Sequence, residues 1–451
     1  MPVNEPSDST DNTPSPLKQT PLAPASPKGA LRIIFIIVFA DLMGFGVIIP
    51  LLPIYARTFD ASNLQVTLLF SVFSLCQLVA SPVLGTLSDK YGRRPVLILS
   101  QLGSAFGYVI LALATEVEWA SPFVGLMLLY VSRVIDGASG GNISTAQAYV
   151  SDVTTPANRA KGMGVIGAAF GIGFAVGPAL GGVLGHYNVS WPAWAAATFC
   201  TVAAVLTYLK LPESRWLKGV SAKPQADGET GSWWNPARLK PLVRNRPLMQ
   251  LQCIWFLSMT AFVMLEAVFA IFLVDRFNYG TVEIGWFFAY VGVIIAIVQG
   301  GLIGRLTKRF GEWPLTIAGP LLVTVAMLGY VEVGREVAWA GLALLLVCGL
   351  FNATGRSLQT PTLSSLVSKF SPEDQQGVVF GLYHGLGSLA RVVGPVGAGL
   401  LYDRHHSAPF MVAGIITLGA AVWTIGLRMS LGARARQFDT GTLPPKTVPE
   451  T

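Results

Sequence analysis

The sequence predicts an all-α integral membrane protein of twelve transmembrane helices in two six-helix halves, and three observations predict it. Of 451 residues, 52% are apolar and only 12% charged, with a mean hydropathy of +0.56, a composition that excludes an ordinary soluble domain. Apolar stretches of spanning length follow one another almost without pause, where a bilayer core takes about 20 residues of helix per crossing. Finally, Gly85-Thr-Leu-Ser-Asp-Lys-Tyr-Gly-Arg-Arg-Pro95 returns, altered, as Gly304-Arg-Leu-Thr-Lys-Arg-Phe-Gly-Glu-Trp-Pro314, which marks two related halves of the kind that parallel internal repeats produce.

Residues 1–30 are rich in Pro, Ser and Thr and are expected to be a disordered tail. They do not read as a signal peptide, because the polar stretch is too long and the apolar run after it lacks a small-residue cleavage site. An N-terminal bundle (31–210) then holds spans 1 to 6 at 31–56, 66–88, 96–115, 122–150, 160–186 and 191–210. A basic linker loop at 211–247 follows, with Trp233 and Trp234 expected at the headgroup level. A C-terminal bundle (248–430) holds spans 7 to 12 at 249–275, 283–304, 315–332, 338–367, 377–402 and 408–428, before a tail at 431–451. Helices are expected throughout, since backbone groups in hydrocarbon must bond within their own segment and these runs exceed a membrane strand's ~9–11 residues.

Outside the spans, all Lys and Arg except Arg57, Arg276, Arg335 and Arg404 fall in the tails or in loops joining even to odd spans. Both termini are therefore expected in the cytoplasm. The net charge of +7 is mostly this topological bias and gives no support to nucleic-acid binding, which needs a basic patch on a folded surface. Cys76, Cys200, Cys253 and Cys348 lie inside spans without disulfide or zinc spacing, and His186, His384, His405 and His406 form no ligand cluster. No metal or cofactor is expected. HExxH does not occur, and the GxSxG match Gly137-Ala-Ser-Gly-Gly141 lies inside span 4 with no nucleophile–base pair at a membrane face, so an enzyme is not expected either.

Ionisable groups within the spans carry the functional signal, because a charge at mid-bilayer costs from about 3 kcal/mol upward. They are Asp41 in span 1, Arg133 and Asp136 in span 4, Glu266 in span 7, Arg356 in span 10 and Arg391 in span 11. Spans 1, 4, 7 and 10 open each three-helix unit, which suggests a shared central cavity bordered by Asp41, Arg133, Glu266, Asn352 and Arg356. Asp41 is expected as an unpaired midplane acid able to bind a proton; an interhelical hydrogen bond holding span 1 is the alternative. Arg133 and Asp136, three apart on one helix, are neighbours that either neutralise each other or join Asp41 and Glu266 in proton coupling. Glu266 needs a partner, a watery cavity or a proton, and Arg356 is a possible partner; Arg391 reads as structural.

Span 5 carries Gly173-Phe-Ala-Val-Gly177-Pro178-Ala-Leu-Gly181-Gly182, which Gly394-Pro395 and Gly399 echo in span 11. Small residues of this kind let helices approach closely. The halves also differ in sign, for Asp89, Arg93 and Asp152 correspond to Lys308, Glu312 and Lys369. With Arg94, these residues read as two cytoplasmic gate clusters, each bridging helices of its own half.

In these motifs the chain resembles the major facilitator superfamily from about residue 31 to 430. The Gly85–Pro95 loop resembles that family's most diagnostic segment, Leu129-Tyr-Val-Ser-Arg133 its span-4 basic motif, and span 5 its antiporter motif. Within the twelve-helix drug:proton antiporters, Ala40-Asp41-Leu-Met-Gly44 is most similar to tetracycline-resistance efflux proteins. The resemblance implies alternating access by two rocking bundles, with proton entry driving export of a lipophilic or amphipathic molecule across a plasma membrane, or the inner membrane of a Gram-negative cell, by a monomer. An uptake or facilitative transporter on the same fold is the alternative. Three departures bear on substrate and coupling. Gly107 stands where tetracycline exporters carry an aspartate before a tyrosine, and span 9 lacks their acid. Asp136 replaces the usual glutamine of the span-4 motif.

Overall fold

The computed structural model describes residues 27–119, 121–140, 142–154, 156–214, 245–333, 338–372 and 375–432, and no strand occurs among them. The tail at 1–26, most of the 211–247 linker including Trp233 and Trp234, and the tail at 433–451 lie outside the described residues. Each predicted span falls on a helix. Span 1 comprises Pro27–Ile48, a 3-10 turn at Ile49–Leu51 and Leu52–Arg57; Pro50 and Pro53 withhold two backbone donors there, which interrupts regular α geometry. Spans 2 and 3 are Asn63–Tyr91 and Arg93–Glu116, span 4 is Pro122–Ser139 continued by Asn142–Val153, and spans 5 and 6 are Pro156–Tyr187 and Trp191–Lys210. In the second half, span 7 is Arg246–Phe277, and span 8 is Thr281–Ile297, a π turn at Val298–Leu302 and Ile303–Phe310. Spans 9 to 12 are Glu312–Glu332, Ala338–Phe370, Gln376–Arg404 and Ala408–Leu431.

The helices overrun the predicted spans because they end at polar caps and not at the edge of the hydrocarbon. Ser62 and Gln65 form a reciprocal capping box at the start of span 2. Gly92 and Gly311, at equivalent places in the repeated segment, hold φ of +106° and +81°, a region open chiefly to glycine, and turn the chain directly into the next helix. Span 4 departs from α geometry at Gly140, yet the carbonyls there are served: Gln77 Nε2 donates to Gly140 O at 2.8 Å and Ser100 Oγ donates to Ser139 O. Such a departure at membrane depth is tolerable on that condition.

Eleven of the helices have the length and hydropathy of a membrane crossing among the described residues. Gln376–Arg404 is the exception, its apolar stretch being diluted by glycines, His384 and Arg391. The fold is two six-helix bundles joined chiefly along spans 2 with 11 and 5 with 8.

Lipid offers no hydrophobic drive between helices, so close packing at small residues does the work. On one side of span 5, a Cβ at Gly173 would lie 2.9 Å from Leu42 and one at Gly177 would lie 3.0 Å from Gly46, while Gly181 rests against Val47; on the other side Gly182 meets Thr281 and Gly285. Pro178, within the same helix, presents its carbonyl to Gly285. In span 11, Gly394 packs on Thr260 and Met264 of span 7, one residue before Pro395.

Because the spans alternate in direction, one end of the bundle carries both termini and the linker. At the opposite, far end the halves are shut. Arg57 holds Asp275 with two hydrogen bonds, at 2.6 and 3.1 Å, Tyr402 Oη donates to Asp275 at 3.0 Å, and Asn63 donates to Asp403 at 2.9 Å. Toward the linker end the same helices part: a Cβ at Gly85, Gly164, Gly167, Gly300 or Gly301 would meet nothing within 4 Å. The state is open at the linker end and closed at the far end.

Candidate functional site

Between the halves lies a small space walled by Phe45, Leu69, Phe73 and Ser74 from spans 1 and 2, Arg133 from span 4, Glu266 from span 7 and Arg391 from span 11. Its walls are mainly apolar, with three ionisable groups facing each other across the divide.

In the N-terminal half, the i, i+3 neighbours Arg133 and Asp136 form an ion pair at 3.1 Å with both side chains almost fully buried (3% and 4% exposed). Ser104 and Tyr108 lie at the Asp136 carboxylate, Arg133 donates to Ser132 Oγ at 3.2 Å, and its guanidinium lies over Tyr108 and Phe73. The pair is thus neutralised within its own half. Asp41 is not the unpaired acid expected from sequence. It makes a polar or electrostatic interaction of its own, has Tyr108 and Cys200 within electrostatic reach, and is not among the residues lining the space.

Two of the departures, Gly107 and Asp136, meet in space. A Cβ on Gly107 would lie 3.3 Å from both the Cβ and the N of Asp136. Span 4 thus brings Asp136 against the face of span 3 on which the acid is missing, and Gly107 leaves room for it.

In the C-terminal half the predicted roles change. Arg391, expected to be structural, lines the cavity and acts on Glu266 more strongly than Arg356 does. The reason is packing: Gly394, one turn away, seats span 11 directly on span 7. Arg356 is not part of the wall of the central space; it lies toward the linker end, over Phe262 at 3.9 Å and Trp255 at 5.7 Å. Asn352 is buried and is likewise not among the lining residues.

Of the gate residues, Arg93 joins three helices at the linker end: it contacts Asp89 at 2.5 Å and Asp152 at 3.2 Å and donates to Ser88 at 2.6 Å. Glu213 accepts the backbone N–H groups of Arg93 and Arg94 at 2.9 and 3.0 Å, and the Arg94 side chain donates to Tyr208 O. In the other half Lys369 and Ser365 both meet Glu312, at 2.9 and 2.6 Å. Lys308 makes no ion pair among the described residues, so the second cluster joins spans 9 and 10 without span 8. Among the described residues neither cluster crosses between the halves in this state.

Side-chain bonds between the halves lie at the far end, Arg57 with Asp275 and Asn63 with Asp403. Arg57 was counted only as an exception to the charge bias. Its opposite charge, Asp275, closes span 7 as Arg57 closes span 1, and that complementarity at equivalent positions was the available signal.

Two six-helix halves around a central space open at one end define a membrane transporter. The major facilitator superfamily model matches residues 34–335 and 334–447, and the chain belongs to that superfamily. It is 31% identical over 417 residues to the class C tetracycline resistance protein of Escherichia coli, covering 91% of this chain and 99% of that one. Multidrug resistance protein 2 of Bacillus subtilis is 28% identical, over 91% of this chain and 98% of that protein. Among solved structures it is similar to the human organic anion transporter MFSD10 (TETRAN), at 26% identity and a TM-score of 0.65, covering 89% of this chain and all of that one.

Proposed function

We propose that this transporter exports an amphipathic small molecule in exchange for protons, by alternating access, as a monomer in the plasma membrane (the inner membrane in a Gram-negative cell) with both termini in the cytoplasm. The observation that carries the reading is the set of carboxylates, Asp41, Asp136 and Glu266, held within membrane-length helices of two halves that are latched together at the far end. Asp136 is compensated by Arg133; Asp41 in span 1 and Glu266, which lines the space between the halves, are the proton sites this reading assigns. The basic linker end is the cytoplasmic end, so the state described is the one that loads cargo from the cytoplasm. Mainly apolar walls suit lipophilic ring systems of several shapes, since hydrophobic contacts discriminate weakly.

The test is transport in proteoliposomes under an imposed pH gradient, with a panel of lipophilic compounds. Wild type should concentrate cargo against its gradient and consume the proton gradient as it does so. Asp41→Asn should abolish that coupled movement while leaving a monodisperse, thermally stable protein. Equal, gradient-insensitive flux by both proteins would instead make it a facilitator.

A further inference from the structure

Relatives named for tetracycline resistance, multidrug resistance and organic anion transport lie at similar distances from this chain, so relatedness does not choose a cargo and the site must. Its charges are unevenly matched. Arg133 has its counter-ion, Asp136, at 3.1 Å in the same half. Arg356 and Arg391 have none: among the described residues no carboxylate lies within 4.0 Å of either. The acid acting on both is Glu266, at longer range, and the two guanidiniums repel each other. One carboxylate serves two arginines.

Arg356 is also short of acceptors. A guanidinium has five N–H donors, yet the side-chain acceptor it finds among the described residues is the Met259 thioether, at 3.0 Å, a weak one. Its flat face is occupied by Phe262 and Trp255. Next to it, Tyr383 stacks on Trp255 at 4.3 Å, and its hydroxyl is buried without a hydrogen-bond partner, the residue being 3% exposed. Cations kept within a bilayer are expensive and are retained where an anion meets them.

We propose that the C-terminal half holds an anion subsite, in which Arg356 and Arg391 receive the carboxylate or sulfonate of an amphipathic organic anion. Trp255 and Phe262 flank the anionic group, the apolar walls take the ring system, and Glu266 is the counter-ion of the empty site. Arginine suits the task, because its planar donor fork matches such a group in geometry. The inference names the cargo class for the export reading above and rests on it for direction only, since binding does not require coupling.

The experiment is equilibrium binding to the full chain in nanodiscs at fixed pH, corrected against empty nanodiscs. The probes are anilinonaphthalene sulfonate and phenylnaphthylamine, the same rings without the anion. Wild type should prefer the sulfonate, and Arg391→Gln and Arg356→Gln should each weaken it by about tenfold or more, the scale of one charge-assisted hydrogen bond, with phenylnaphthylamine unchanged. Arg391→Lys, which keeps the charge, should retain part of the preference, and Glu266→Gln should strengthen sulfonate binding. Equal binding of the two probes by wild type, or a sulfonate preference that survives in the Arg356→Gln/Arg391→Gln double variant, overturns the proposal. Sulfonate preference without proton-driven flux in vesicles would sink the coupling reading and leave the subsite standing; proton-driven flux of cargo without that preference would do the reverse.

Discussion

Asp275→Asn should open the far end of the molecule. The wild-type carboxylate accepts two hydrogen bonds from Arg57, at 2.6 and 3.1 Å, and one from Tyr402 at 3.0 Å, and these are bonds between spans 1, 7 and 11. Asparagine preserves the shape but loses the charge and one acceptor. Exposed ion pairs are worth about 0.2–1 kcal/mol and hydrogen bonds to a charged group about 1.5–3 kcal/mol. The side chains here are 31% and 23% exposed, which places the bidentate pair between those ranges, at about 1–2 kcal/mol. That corresponds to a shift of about 5- to 30-fold in the ratio of the two open states. Spin labels at Thr58 and Arg404, in a background with the four native cysteines replaced, read the separation at the far end directly. The long-distance population should grow in Asp275→Asn and fall back when Arg57→Asp is combined with Asp275→Arg. An unchanged distance distribution in the single variant, or a charge-swapped pair that stays open, would refute the latch.

Three further outcomes follow from the same contacts. Gly107→Asp should abolish transport, because a side chain there meets Ser132 O at 3.1 Å and Asp136 at 3.3 Å and adds a second carboxylate to the first; adding Asp136→Gln should restore part of it, measured as flux in proteoliposomes, and full activity of the single variant would contradict the packing argument. Arg93→Glu should inactivate by setting a third acid against Asp89 and Asp152, with recovery on adding Asp89→Lys and Asp152→Lys; label distances between the linker ends of spans 4 and 10 that stay put in the single variant would reduce the cluster to solvated charge. Tetracycline should be a poor cargo beside other lipophilic compounds, and strong resistance conferred on a sensitive host, lost in Asp41→Asn, would overturn that.

Hydropathy made the twelve helices legible, and the Gly85–Pro95 repeat made the halves legible, because both are one-dimensional properties of the chain. The glycines of span 5 were readable for the same reason: their spacing alone puts Gly173, Gly177 and Gly181 on one face. What could not be read was which helices a face meets. Arg391 looked structural because it precedes Gly394-Pro395, yet that glycine is what draws span 11 onto span 7 and brings the arginine to Glu266. Gly107 and Asp136 looked like two departures because they lie on different spans, and only the contact between spans 3 and 4 brings them together.

The same limit explains why the far-end latch was passed over while the linker-end clusters were found. Asp89 and Arg93 are four residues apart on adjoining helices, so their pairing is written locally, whereas Arg57 and Asp275 are 218 positions apart and meet only because two halves of one design face each other. Complementarity within a half holds helices together through the whole cycle; complementarity between halves exists in one state alone and has to be broken in the other. A charge pair that sits half-exposed at the closed end, worth about 1–2 kcal/mol, is strong enough to bias that equilibrium and weak enough to be given up at every turnover. The pair buried at mid-bilayer behaves oppositely: separating Arg133 from Asp136 would leave an uncompensated charge at a cost of about 3–5 kcal/mol. It belongs to the rigid part of the N-terminal half, and the moving electrostatics are confined to the far-end latch, the cavity acids and the two unmatched arginines.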